Sequence, residues 1–143
     1  MDCRLATAAD AGLLAAFNQQ LIRDEGHRNS MNLTELTERM SGWLKGEYQA
    51  AMFELEGTAV GYALFRSEPE YIYIRQLFVT AEHRRKGIAR TAIAWLRKNR
   101  WSDTDRLRID VLVGNSAARE FWKSVGFRDY CITMESENRL ETS

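Results

Sequence analysis

Between residues 71 and 96 the chain changes its hydrophobic period across one basic turn. YIYIRQLFV (71–79) reads as a β-strand, whereas Ile88, Ala92, Trp95 and Leu96 recur at the spacing of one helix face. Between them stand Arg84, Arg85, Lys86 and Gly87. A strand feeding a helix through so short a turn commits this part of the chain to a sheet with a helix packed on it. The start of that helix has its own chemistry. Its first N–H groups lack intrahelical acceptors, and the helix dipole adds partial positive charge. A phosphate suits such an end, and a glycine lets it approach the main chain closely. Taken alone, RRKG reads equally as a solvated basic helix start.

The rest of the chain extends this pattern. CRLAT (3–7) is a first strand, and Thr7 with Asp10 forms a T-x-x-D helix start ahead of Leu13, Leu14, Phe17 and Leu21. RDEGHRN (23–29) breaks the period with a glycine and clustered charge and reads as a loop. Asn32 with Glu35 opens a second helix whose inward stripe is Leu33, Leu36, Met40, Trp43 and Leu44. YQAAMFELE and AVGYALFRS, separated at Gly57 and Thr58, give a hairpin, and Pro69 marks the turn into the strand at 71–79. RLRIDVLV (106–113) alternates as a strand, NSAAREFWKSVGF holds a capped helix ending near Gly126, and RDYCITME (128–135) gives a last strand. The sequence has no internal repeat, low-complexity tract or linker, so residues 1–143 read as one mixed α/β domain with a mostly antiparallel sheet.

Composition narrows the function classes. Lys plus Arg and Asp plus Glu each total 20, a formal net charge of zero, which argues against a dedicated nucleic-acid binder. Arg85, Arg90, Arg97, Lys98 and Arg100 would be the basis of such binding, but their helix also carries an apolar stripe. No apolar run approaches the roughly 18 residues of a membrane span, and MDCRLATAAD lacks the order of a signal peptide. Cys3 and Cys131 make no metal spacing and fit free thiols in a reducing cytosol. A cytoplasmic protein without metal, nucleic-acid or membrane partners is expected, as a monomer or homodimer.

The segment LFV, then R-R-K-G-I-A, then a helix, resembles the acetyl-CoA-binding motif Q/R-x-x-G-x-G/A of the GNAT N-acetyltransferases, with Arg84, Gly87 and Ala89 at its fixed positions. GNSAAREFWKSVGF is similar to that superfamily's second signature, an asparagine followed by a helix ending in aromatic-x-x-x-G-F. The resemblance covers the whole order of elements. It implies a twisted, mostly antiparallel sheet of about six to seven strands flanked by four helices, with a splayed central strand. It further implies acetyl-CoA as acyl-donor cosubstrate and an amine acceptor. Leu77, Phe78 and Val79 match the strand positions that hydrogen-bond pantetheine, and the N–H groups of Arg85, Lys86, Gly87, Ile88 and Ala89 match the pyrophosphate cradle. Arg84, Arg85 and Arg90 are candidates to meet phosphate oxygens, and Asn115 matches a cofactor contact or is a helix cap.

The implied chemistry is less complete. Many relatives place a tyrosine acid where this chain has Trp122, whose indole is a donor without ordinary acidity. Tyr73 and Tyr130 are substitutes, or the thiolate leaves unassisted. The acidic residue that many relatives carry before the LFV-like segment is replaced by Arg75 and Gln76. Asp110 matches a glutamate of the ribosomal-protein acetyltransferases and is the candidate base, or else a salt-bridge partner of Arg108 or Arg75. Asp24, Glu25 and His27 fall where the family's acceptor site is bordered. The two carboxylates favour a cationic acceptor, while Arg75 equally favours a carboxylate-bearing one. A module that binds acyl-CoA without catalysis is the alternative function.

Overall fold

A computed structural model describes residues 1–26 and 28–139; His27 lies outside the described residues. β1 (Asp2–Leu5) leads into a single 3₁₀ turn at Ala8–Asp10. The T-x-x-D signal caps this turn, with Thr7 N–H donating to Asp10 Oδ2 at 2.7 Å, and α1 (Ala11–Glu25) follows directly. Leu14, Ala15 and Phe17 face inward, whereas Leu13, expected on the buried stripe, is exposed. α1 runs further than its sequence suggests. Arg23, Asp24 and Glu25 form its last turn, and the chain leaves the helix only at Gly26, whose φ of 65° suits glycine.

α2 (Leu33–Lys45) opens with the expected reciprocal cap. Glu35 N–H donates to Asn32 Oδ1 at 2.9 Å, and Asn32 N–H donates to Glu35 Oε1 at 3.0 Å. Leu36 and Met40 are buried, while Leu33 at the helix entry is exposed. β2 (Tyr48–Leu55) and β3 (Thr58–Ser67) form the hairpin, turning at Glu56 and Gly57 with φ of 50° and 80°, one residue earlier than the sequence implied. β4 (Ile72–Val79), α3 (Ile88–Asn99), β5 (Leu107–Ile109) and α4 (Ser116–Ser124) complete the elements.

The sheet has the order β1-β2-β3-β4-β5, antiparallel throughout except for the parallel β4–β5 pair. Among the described residues it has five strands, fewer than the six to seven expected. Residues 128–135 form no strand, and Tyr130, Ile132 and Met134 are 68%, 83% and 89% exposed. Alternation there signals extended backbone, but a strand also needs a partner edge. β5 stops at Ile109, short of the expected 106–113, and the last segment pairs with nothing among the described residues.

Each sheet face carries its own core. Phe53, Phe65, Ile74, Ile93, Leu96 and Trp101 are buried beneath α3 and α4. Leu14, Phe17, Met40, Met52, Tyr62 and Phe78 are buried beneath α1 and α2. Among the described residues no helix is long and apolar enough to cross a membrane.

Candidate active site

The two signatures meet where the sheet opens. β4 and β5 pair from Ile72–Leu107 to Ile74–Ile109 and then part. The parting coincides with a bulge in β4: Leu64 of β3 faces Gln76 and Phe65 faces Ile74, so Arg75 is unopposed. An extra residue bends a strand and increases its twist, which steers the end of β4 away from β5. β3 continues alongside β4 as far as the Gly61–Val79 pair. Thr80 N–H donates to the Val60 carbonyl at 2.8 Å, a register in which the main-chain groups of Phe78 face β3. Those of Leu77 and Val79 therefore face the gap. The Phe78 ring turns into the core under α1, 5.3 Å from that of Phe17.

Beyond β4, a short turn at Ala81–His83 delivers the chain to the basic segment. Arg85 and Gly87 have φ of 63° and 76°. A left-handed arginine is strained by about 1 kcal/mol, so the chain holds it against its own preference. Such turns point successive N–H groups into one concavity. Among the described residues, the N–H groups from Arg85 through Arg90 have no acceptor, and the first amide of this region to find one is Thr91, which donates to the Gly87 carbonyl. A Cβ on Gly87 would meet open space, so the cradle is accessible from outside.

The basic side chains divide by their partners. Arg84 donates through Nε to the Val79 carbonyl at 2.9 Å, pairs with Asp24 at the end of α1, and lies over the Phe78 ring. Arg90 donates to the Ser124 carbonyl and hydroxyl, joining α3 to α4. Arg85 and Lys86 are exposed and, among the described residues, have no carboxylate partner. Asn115 caps α4, accepting from Ala118 N–H at 3.1 Å. Trp122 is buried against Phe121 and Phe127.

On the α1–α2 face, Tyr73 donates its hydroxyl hydrogen to Asp110 at 2.9 Å. Burial, reinforced by that bond, pushes the Tyr73 phenol up to about 12. Asp110 thus meets Tyr73 and forms no ion pair with Arg108 or Arg75. Tyr130 is exposed against Arg108, which donates to its hydroxyl at 3.3 Å and lies over its ring. Arg75 reaches Tyr48, donating to its hydroxyl at 3.4 Å, and lies over the Trp43 ring. Arg39 of α2 lies over the same indole. Tyr62 donates to Gln76 Oε1 at 2.7 Å, and burial pushes its phenol far above the usual range. The sequence reading did not assign Arg39, Trp43 and Tyr48 to the site. The i, i+4 spacing of Arg39 and Trp43 was their available signal.

Comparisons with known proteins agree with this architecture. A model described as the acetyltransferase (GNAT) family matches residues 15–127. The chain is similar to the structure of a possible acetyltransferase from Clostridium difficile 630, with a TM-score of 0.82, 17% identity and 98% of each chain covered. It is similar to an aminoglycoside N-acetyltransferase in complex with CoA, with a TM-score of 0.77, 14% identity, and 97% of this chain and 95% of that one covered. A ribosomal-protein-alanine N-acetyltransferase from Brucella melitensis biovar Abortus 2308 has a TM-score of 0.74 at 17% identity, covering 95% and 98%. A comparison with curated protein sequences finds no match.

Proposed function

The chain belongs to the acetyltransferase (GNAT) family, and from that premise we propose that it moves an acetyl group from acetyl-CoA to a primary amine of a small molecule or protein, by direct attack in a ternary complex. The observation that carries this reading is the run of acceptor-less N–H groups from Arg85 through Arg90 beside the parted β4 and β5. A pyrophosphate needs converging donors, and pantetheine amides need unpaired strand edges. Both stand in one continuous place, and the similar aminoglycoside enzyme was solved with CoA. In this reading Leu77 and the Val79 N–H offer main-chain groups to pantetheine, the Val79 carbonyl being held by Arg84, and Phe78 supports them from the core. Arg85, Lys86, Gly87, Ile88 and Ala89 cradle the phosphates. Arg84 and Arg90 shape the cradle through Asp24 and Ser124, and Asn115 caps α4 beside the opening.

The amine nitrogen forms a bond to the thioester carbon, the carbon–sulfur bond breaks, and the amine's proton is lost as the thiolate departs. A lysine-like amine has a pKa of roughly 10.4, so supplying it neutral at pH 7 costs about 4.6 kcal/mol. Asp110 accepts that proton directly or through water, and Tyr73 orients its carboxylate. With its phenol held near 12, Tyr73 is a poor acid toward a departing thiolate. Tyr130 or solvent supplies that proton instead.

Asp110→Asn lowers turnover at neutral pH and recovers partly in alkali, where more amine is already neutral. An unchanged pH–rate profile with normal acetyl-CoA affinity assigns Asp110 to structure. The burial of Trp122 favours one second reading, an acyl-CoA-binding module without catalysis. Release of CoA thiol on adding amines to the acetyl-CoA-bound protein decides for the enzyme.

A further inference from the structure

Two arginines on the α1–α2 face share one aromatic ring. The guanidinium carbons of Arg39 and Arg75 lie 4.4 and 4.7 Å from the centroid of Trp43. Neither has a carboxylate partner among the described residues. Arg39 donates to the amide oxygen of Asn18, and Arg75 donates to the Tyr48 hydroxyl. The third arginine of the group, Arg66, is by contrast paired with Glu68. Arg39 Nε is buried without an acceptor, an orphaned charge-bearing donor. Burial and the nearby Arg75 both hold the Arg39 guanidinium below its usual range, as expected of like charges brought together out of water.

This pair adjoins the reacting region. Arg75 is the bulge residue at which β4 leaves β5. Arg66 lies over both Tyr48 and Tyr73, and Tyr73 holds Asp110. The nearest candidate for attracting a cationic acceptor is already answered, since Asp24 pairs with Arg84.

We propose that the acceptor is an amine that also carries a carboxylate, an amino-acid-like molecule, whose carboxylate is held between Arg39 and Arg75 over Trp43. An oxyanion beside the ring answers two guanidinium groups that have no carboxylate of their own, a match that a planar carboxylate makes well. This inference rests on the acetyl-CoA reading of the neighbouring cleft.

The test is calorimetry on the full chain, first with CoA and then, at CoA saturation, with product analogues. These are N-acetyl α- and ω-amino acids of increasing length, their carboxamides, and N-acetyl phosphoethanolamine. At least one acid should bind roughly tenfold or more tightly than its carboxamide, the scale of a charge-assisted hydrogen bond to a fixed partner. Arg75→Gln, at an exposed position, should remove that preference while CoA affinity stays the same, and Arg39→Gln should do likewise. Acids that bind no better than carboxamides to the CoA-saturated protein overturn the proposal, as does a preference that survives both variants. Tighter binding of the phosphoethanolamine derivative than of every carboxylic acid also overturns it. Failure to take up CoA at all sinks the acetyl-CoA reading, and this inference with it.

Discussion

Arg84, Arg85 and Arg90 carry the same charge within seven positions of sequence and have three different surroundings. Arg84 is committed to Asp24 and the Val79 carbonyl, Arg90 to Ser124, and Arg85 stands in solvent with a left-handed backbone. Their partners come from α1 and α4, so neither spacing nor composition could sort them. A local pair is better predicted. Thr7 and Asp10 are three residues apart, and their bond was readable as a helix-start signal. Arg4 was the unread partner, donating to both Asp10 oxygens at 2.9 and 3.0 Å. Those bonds, with the Thr7 N–H, hold the Asp10 carboxyl at about 2. Its folded pKa lies below the unfolded value, so its stabilisation is present above about pH 4 and lost as pH falls through 2. Allowing for solvent around Arg4, we expect Asp10→Asn to cost about 1 kcal/mol at pH 7 and almost nothing near pH 2. Urea unfolding at the two pH values checks this, and an equal deficit at both assigns the loss to the cap alone.

At the scale of elements, sequence pattern located the four α-helices and the five strands of the described residues, the fifth drawn too long, because one-sided burial leaves its period in the chain. It was less reliable at ends. The loop drawn at 23–29 gave its first three residues to α1, since charged side chains are tolerated in an exposed last turn. The strand drawn at 128–135 failed because pairing is a property of two segments, and only one was in view. The bulge at Arg75 was equally invisible, being a mismatch between two strands. Gly61 shows how closely those strands fit. A Cβ there would lie 2.2 Å from the Phe78 carbonyl oxygen and 3.0 Å from the Phe53 ring. Both neighbours sit in filled surroundings, so Gly61→Ala must push β3 from β4. We expect a loss of roughly 2–3 kcal/mol, read as a lower urea midpoint at unchanged slope. A variant as stable as the parent contradicts the close approach.

At the scale of the molecule, one sheet packs a core on each face and opens between β4 and β5. The chain is formally neutral, yet a run of open N–H donors stands at this opening, and Arg39 and Arg75 share the Trp43 ring on the α1–α2 face. The turn before α3 was legible because it lies within one stretch of sequence. The proposed acceptor side was legible only in part: Arg75 and Asp110 were named from sequence, whereas Arg39 and Tyr48 meet Trp43 and Arg75 only through the fold. The central claim is that the N–H groups around Gly87 hold the pyrophosphate of acetyl-CoA. Calorimetric titration of acetyl-CoA into the parent, Gly87→Ala and Gly87→Glu tests it most directly. The two variants share the strain of a side chain at φ 76°, and only glutamate adds bulk and negative charge to the open space above the cradle. We expect the alanine variant to bind within about tenfold of the parent, in line with roughly 1 kcal/mol of left-handed strain. The folded glutamate variant should show no measurable binding, and parent-like affinity in that variant contradicts the account.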